Sequence, residues 1–185
     1  MKKIYITSGV GRSGKDTFTS LLNKYIPTYK YSIVDLPKEA AKVLGWNGGK
    51  SEKDRRFLSD IMDLSTEYND APFQDILSLV TDFNNSKDFA EYKVLIIDMR
   101  DPKDISRAVK EFKAETILVR SPNVRKIVSN HADRDVENYK YDYIIENDGT
   151  LEQLEKVAKM FVCDVICDEY INTKENPFVF TCSKY

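Results

Sequence analysis

Residues 9–17 read Gly9-Val10-Gly11-Arg12-Ser13-Gly14-Lys15-Asp16-Thr17, and residue types in this order do one kind of chemistry well: they hold phosphate. Gly9 and Gly14 stand at the two ends of a G-x-x-x-x-G-K spacing. Glycine tolerates positive φ and has no Cβ, so the backbone of Gly9, Gly11, Arg12, Ser13 and Gly14 can curl and aim its N–H groups inward. Lys15 adds a mobile point charge with the reach to touch terminal phosphates. Thr17 offers a hydroxyl close to where Mg²⁺ would sit. Asp16 departs from the usual pattern, which has Ser or Thr directly after the lysine. It reads either as a helix-start acid favoured by the helix dipole or as a carboxylate facing a metal, an arginine or an acceptor.

A loop of this kind calls for partners. Moving a phosphoryl group is mostly positioning and charge neutralisation. That needs an acid to hold Mg²⁺ or its waters, and cations around the phosphoryl. The candidate acid is Asp98, which closes the apolar run Val94-Leu95-Ile96-Ile97. The candidate cations are Arg12, Arg100, Arg120, Arg125 and Arg134, each of which also reads as a solvated surface charge. Arg100 is the strongest, because it stands two residues after Asp98. An acceptor phosphate would be met by Lys38 and by one of Arg55 and Arg56, which diverge by about 100° on a helix. A phosphate acceptor attacks through an oxygen that is already anionic and needs cations. A hydroxyl acceptor profits from a carboxylate, which keeps Asp16 and Asp35 in view.

The elements that must position these residues alternate along the chain. Ile4-Tyr5-Ile6 is a strand running into the loop, and Phe18, Leu21 and Leu22 give the helix behind it. A second strand is expected at residues 29–34, then a helix opened by Asp35 as cap and Pro37 in its first turn. Helical periodicity returns from about residue 52 to 68 and again from 73 to 83. Val94-Leu95-Ile96-Ile97-Asp98 reads as an interior strand buried on both faces, with its acid at the carboxyl end where α/β sheets bind ligands. A helix from Pro102, a strand at residues 115–120, a strand at 141–146 and a helix capped by Thr150 complete the pattern. Phe178-Val179-Phe180 is either an edge strand or a packed tail. The expectation is a single three-layer α/β domain over 1–185 with a mainly parallel sheet of about five strands. A helical insertion occupies about 35–85, and an arginine-bearing lid about 121–140.

Composition narrows the function further. The chain has 185 residues, 42% hydrophobic and 31% charged, enough for a sizeable core. A formal net charge of -2 argues against broad electrostatic binding to nucleic acid. No signal-like or membrane-spanning apolar run stands out, so a cytoplasmic protein with no membrane partner is expected, as monomer or homodimer. Cys163, Cys167 and Cys182 suit a reducing compartment, and with His131 as the one histidine they form no zinc set.

Taken together, the Gly-Lys-Asp-Thr loop ending, Leu36-Pro37-Lys38, Arg55-Arg56, Ile97-Asp98-Met99-Arg100 and Ile144-Ile145-Glu146-Asn147-Asp148-Gly149-Thr150 resemble the phage-type deoxynucleoside monophosphate kinases, in the same order over most of the chain. Animal-type phosphomevalonate kinases look like relatives, and dephospho-CoA kinase and adenylate kinase share the wider fold. The resemblance implies a P-loop NTPase fold, ATP, Mg²⁺ and a small phosphorylated acceptor. It implies that Lys15, Asp16, Thr17, Lys38, Arg55, Arg56, Asp98 and Arg100 line the cleft, and that the turn at Asn147 to Gly149 lies against adenine. The expected activity is transfer of the γ-phosphoryl of ATP to a nucleoside or deoxynucleoside monophosphate. The alternatives are a kinase of the phosphomevalonate or dephospho-CoA type, and a regulatory protein that binds nucleotide without transfer.

Overall fold

A computed structural model describes residues 2–122, 136–167 and 178–181. The predicted lid falls largely outside these residues, and Arg125, His131, Arg134 and Cys182 lie outside them altogether. Two compact units are present, one made of Met1–Lys30 with Glu91–Tyr185, the other of Tyr31–Ala90.

The sheet has six strands in the order β2-β3-β1-β4-β5-β6: β1 Lys3–Ser8, β2 Thr28–Ser32, β3 Val94–Asp98, β4 Glu115–Arg120, β5 Tyr143–Glu146 and β6 Phe178–Thr181. It is a parallel sheet, with registers that pair Tyr5 with Ile96, Thr7 with Asp98, and Thr7 with Ile117. Strand β3 is buried along its whole length, which is why it reads as an unbroken apolar run.

Helices α1 (Lys15–Asn23), α5 (Pro102–Phe112) and α6 (Leu151–Phe161) flank the sheet. Alternation along the strands divides the two faces. Tyr5, Val94, Ile96, Ile117, Val119 and Ile145 share one core with Phe18 and Leu22 of α1 and Leu154, Val157 and Phe161 of α6. Ile6, Leu95, Ile97 and Leu118 point the other way, and α5 brings the buried Ile105 and Ala108 to the β1–β4 side of the sheet. The result is the expected α/β layering. Phe161 joins the layers, with its ring edge-on to Tyr5, Phe18, Tyr143 and Phe180 at centroid distances of 5.7, 5.8, 5.2 and 5.7 Å.

The count of strands differs from the expected five. Strand β6 pairs parallel with β5, Ile145 opposite Phe180, so of the two readings of Phe178-Val179-Phe180 the edge strand is the one observed. A four-residue edge strand has too short an alternation to be told from a packed loop in the sequence. Helix α6 runs on into a π turn at Val162–Cys167, whose Val162, Val165 and Ile166 stay in the core.

Thr150 caps α6 as expected. Its hydroxyl accepts from the Gln153 N–H at 3.3 Å, and the Gln153 side chain accepts from the Thr150 N–H at 2.8 Å. Thr150→Ala is expected to cost about 1 kcal/mol and to lower the Tm by about 2–4 °C, read by thermal circular dichroism.

The second unit holds α2 (Asp35–Val43), α3 (Glu52–Asn69) and α4 (Ala71–Asn85), and Ile33, Ala41, Phe73, Ile76, Val80 and Phe83 are buried. Ser51 and Asp54 form a capping box at the start of α3. The sequence predicts a break over Asn69-Asp70-Ala71-Pro72, yet α3 runs to Asn69 and α4 resumes at Ala71. Asp70 turns the chain with φ of +58°, and Pro72 fits a first turn whose N–H groups lack helical partners in any case. Asp35 does not cap α2. The helix begins at Asp35 itself, and its carboxylate turns back to accept from the Ser32 N–H at 2.9 Å. Among the described residues no helix is long and apolar enough to cross a membrane.

Candidate active site

The glycine-rich loop leaves the end of β1 and wraps back into α1. Gly9 has φ of +155°, and a Cβ there would run into the Val119 carbonyl oxygen and Ser13 Oγ. Gly14 has φ of +94°, and its missing Cβ leaves room for the Asn147 side-chain amide. Gly11 has open space around it, so its lack of a side chain is not demanded by packing. Arg12 stands exposed at the tip with φ of +70°. The Ser13 N–H donates to the Val10 carbonyl at 3.2 Å, and the Phe18 N–H to the Gly14 carbonyl at 2.8 Å, which closes the loop into the helix. No side chain caps α1, so its first-turn N–H groups stand beside the loop as anion donors. Thr17 is exposed on that first turn.

Asp98 lies beside the loop because β3 is the neighbour of β1 and the register sets Thr7 opposite Asp98. Its side chain is 11% exposed. Thr7 Oγ1 donates to Asp98 Oδ1. Lys15 Nζ binds Asp98 Oδ2, and Lys30 Nζ lies 3.2 Å from that same oxygen. Both ammoniums also face Asp16 Oδ1: Lys30 pairs with it, and Lys15 lies at 3.5 Å. Two lysines and two aspartates therefore alternate around a small ring of charge.

The ring tunes its own members. Burial is the largest influence on Asp16 and pushes its carboxyl up. The hydrogen bond from Lys30 and the attraction of both lysines outweigh it, and the pKa falls below the ordinary carboxylate value. Burial likewise pushes Lys30 down, but its bond to Asp16 and the charges of Asp98 and Asp16 hold it above the ordinary lysine value.

Lys30 escaped the sequence reading. The signal available was a lysine at the centre of the run Thr-Tyr-Lys-Tyr-Ser, in a strand that the sheet order sets next to β3.

The opposite flank of the loop carries a different arrangement. Arg120 and Glu146 are register partners on β4 and β5. The guanidinium donates to Glu146 Oε1 through Nε at 2.7 Å and through Nη2 as well, and this bond raises the arginine pKa. Arg120, expected among the phosphoryl cations, thus already has a carboxylate partner. Asn147 donates from its backbone N–H to the Arg120 carbonyl at 2.8 Å and from Nδ2 to the Ser13 carbonyl at 3.0 Å. The side chain of Asn147 therefore ties the turn after β5 to the phosphate loop, and Gly149 stands exposed further along that turn. Arg100 is half-buried two residues beyond Asp98.

The second unit holds the residues expected to meet an acceptor. Lys38 Nζ donates to Asp35 Oδ1 at 2.7 Å, so these two form a pair within α2. Arg55 and Arg56 are exposed in the first turns of α3, and Arg55 Nε donates to the Lys50 carbonyl at 3.3 Å.

Oxygen donors at Thr17 and Asp98 are of the hard kind that Mg²⁺ takes. The uncapped loop, the glycine positions with no room for a Cβ and the paired ammoniums fit a nucleotide's phosphates.

No protein-family profile matches the chain, and no curated protein sequence does. Among solved structures it is similar to TT1252 from Thermus thermophilus, with a TM-score of 0.51 and 16% identity over 89% of this chain and 98% of that one. It is also similar to a sugar kinase from Janibacter sp. HTCC2649, with a TM-score of 0.49 and 10% identity over 90% of this chain and 98% of that one. Shikimate kinase from Aquifex aeolicus gives a TM-score of 0.45 and 15% identity over 89% of this chain and 99% of that one. Likeness at such identities concerns the fold. With its strand–loop–helix opening and six parallel strands, the chain has a P-loop NTPase fold.

Proposed function

We propose that this protein is an ATP-dependent phosphotransferase that moves the γ-phosphoryl group to a nucleoside or deoxynucleoside monophosphate. The observation that carries the reading is the loop of Gly9 to Thr17 with the Lys15 ammonium held against the buried Asp98 at its mouth. Loop N–H groups and Lys15 would take the β- and γ-phosphates. Thr17 and Asp98 would hold Mg²⁺, which supplies charge neutralisation on the phosphate oxygens when bound. An oxygen of the acceptor phosphate forms the new bond to the γ-phosphorus. The bond from that phosphorus to the β-phosphate oxygen breaks, and ADP leaves with the electron pair. The acceptor oxygen is anionic from the start, so no side chain needs to remove a proton. Lys38, Arg55 and Arg56 supply the positive charge that an acceptor phosphate requires.

The deciding experiment measures ADP release from ATP and Mg²⁺ across a panel of ribo- and deoxyribonucleoside monophosphates, phosphomevalonate and dephospho-CoA. Strong stimulation by a nucleoside monophosphate is expected, with Arg55→Ala or Arg56→Ala raising the KM for that acceptor about tenfold or more and leaving the KM for ATP nearly unchanged. Stimulation by phosphomevalonate or dephospho-CoA alone would move the acceptor class. Tight ATP binding with silence across the panel would overturn transfer and leave a nucleotide-binding regulator.

A further inference from the structure

We propose that Lys30 is a second catalytic cation, one that binds the γ-phosphoryl of the nucleotide, and that Asp16 is the residue that holds it in position. The proposal rests on the phosphotransferase reading above for its nucleotide.

Lys30 and Lys15 make the same contacts. Each ammonium reaches Asp98 Oδ2, and each reaches Asp16 Oδ1. Two ammoniums on one carboxylate oxygen repel each other, and the arrangement persists because the second carboxylate neutralises the pair. As a device for stability this is poor, since the Lys30 side chain is 35% exposed and that of Asp16 is 79% exposed. As a device for phosphate it is well made. A terminal phosphate carries several anionic oxygens, which can bridge two ammoniums as the carboxylate oxygens bridge them here.

Position assigns the phosphate. The loop stands at the end of β1. On one side of it β4 and β5 carry the Arg120–Glu146 pair, bonded to each other, and Asn147, which bonds the loop backbone. On the other side β3 and β2 carry Asp98 and Lys30. The end of the phosphate chain lying on the β3–β2 side gains Lys30 as a neighbour. Lys15 already serves the β–γ junction, so the added charge falls on the terminal group, where charge is redistributed during transfer.

The same geometry accounts for the unusual residue after Lys15. A hydroxyl at position 16 would leave Lys30 with Asp98 as its single partner among the contacts seen here. The carboxylate of Asp16 pairs with the ammonium of Lys30 and draws it toward the loop.

The test uses the full chain with Lys30→Met, Lys30→Arg and Asp16→Asn, and it reads ATP and ADP affinities by calorimetric titration beside kcat. A cation on the γ-phosphoryl predicts that Lys30→Met weakens ATP about tenfold and ADP less than about twofold, and lowers kcat by about 10²–10³-fold. Lys30→Arg is expected to recover most of the ATP affinity. Asp16→Asn is expected to weaken ATP over ADP in the same direction, and to add little in a Lys30→Met background. Equal loss of ATP and ADP affinity in Lys30→Met, or loss of neither, would overturn the proposal. Should Lys30→Met fail to fold, Asp16→Asn decides on the same ATP-to-ADP ratio. Wild-type protein that binds ATP but transfers to no acceptor would overturn the phosphotransferase reading, while the affinity ratio would still judge Lys30.

Discussion

On the phosphotransferase reading, Lys15→Ala is expected to abolish phosphoryl transfer, with kcat/KM reduced by about 10³-fold or more and ATP binding weakened to the limit of calorimetric detection. The size of the effect follows from where the ammonium stands. Lys15 is 11% exposed in its side chain, it reaches the mouth of a loop built of N–H donors, and it is the one lysine within that loop. The fold should survive the change. Asp98 keeps its bond from Thr7 and its contact with Lys30, so the buried carboxylate is not stranded without a counter-charge. A Tm within about 3 °C of wild type is therefore expected beside the loss of function. Arginine is a poor substitute, because a planar fork does not replace a compact ammonium in a cradle of this size. Calorimetric titration with ATP, together with a coupled assay for ADP, checks both halves. Unchanged ATP binding by Lys15→Ala would remove the basis for every nucleotide reading of this site.

Gly9→Ala is the second large effect. At Gly9 the space that a Cβ would fill belongs to the Val119 carbonyl oxygen, part of the β4 backbone, and to Ser13 Oγ. Val119 is paired with Ile145 of β5, so its carbonyl cannot step aside without disturbing the strand. The loop must move instead, and a loop displaced at its first residue no longer aims its N–H groups at one point. The expected cost is about 2–4 kcal/mol, a Tm lower by about 5–12 °C, and loss of ATP affinity beyond what the stability change accounts for. Gly11→Ala is the internal control. Nothing lies within 4 Å of a Cβ there, so its Tm and its ATP affinity should stay close to those of wild type. Thermal denaturation of both variants, with and without ATP, separates packing from binding. Equal behaviour of the two would show that the close approach at Gly9 is unimportant.

These two positions also mark how much of the site a reader of the sequence can see. The G-x-x-x-x-G-K spacing is local, and local spacing is a property of one strand, one turn and one helix start, all visible along the chain. Asp98 was legible for a related reason. Four buried apolar residues followed by an acid describe the end of an interior parallel strand, and such ends gather at one rim of the sheet. The cap at Thr150 depends on bonds three residues apart, and the helix it starts was found where the sequence puts it.

What the tertiary structure alone decided concerns partners far apart in sequence. Lys30 meets Asp98 because β2 and β3 are adjacent in the sheet order, although 60-odd residues of helical chain separate them. Asn147 reaches Ser13 because β5 follows β4 across the sheet from β1, and Arg120 is paired because the β4–β5 register sets it opposite Glu146. Strand order and register come from packing the whole chain, and one-dimensional patterns do not encode which strand ends up beside which. The sequence by itself thus determined the glycine-rich loop, the acid that faces it and the layered α/β fold. The tertiary structure decided which cations stand at that acid and which arginine is already paired, because side-chain electrostatics act through space across the neighbours that folding supplies.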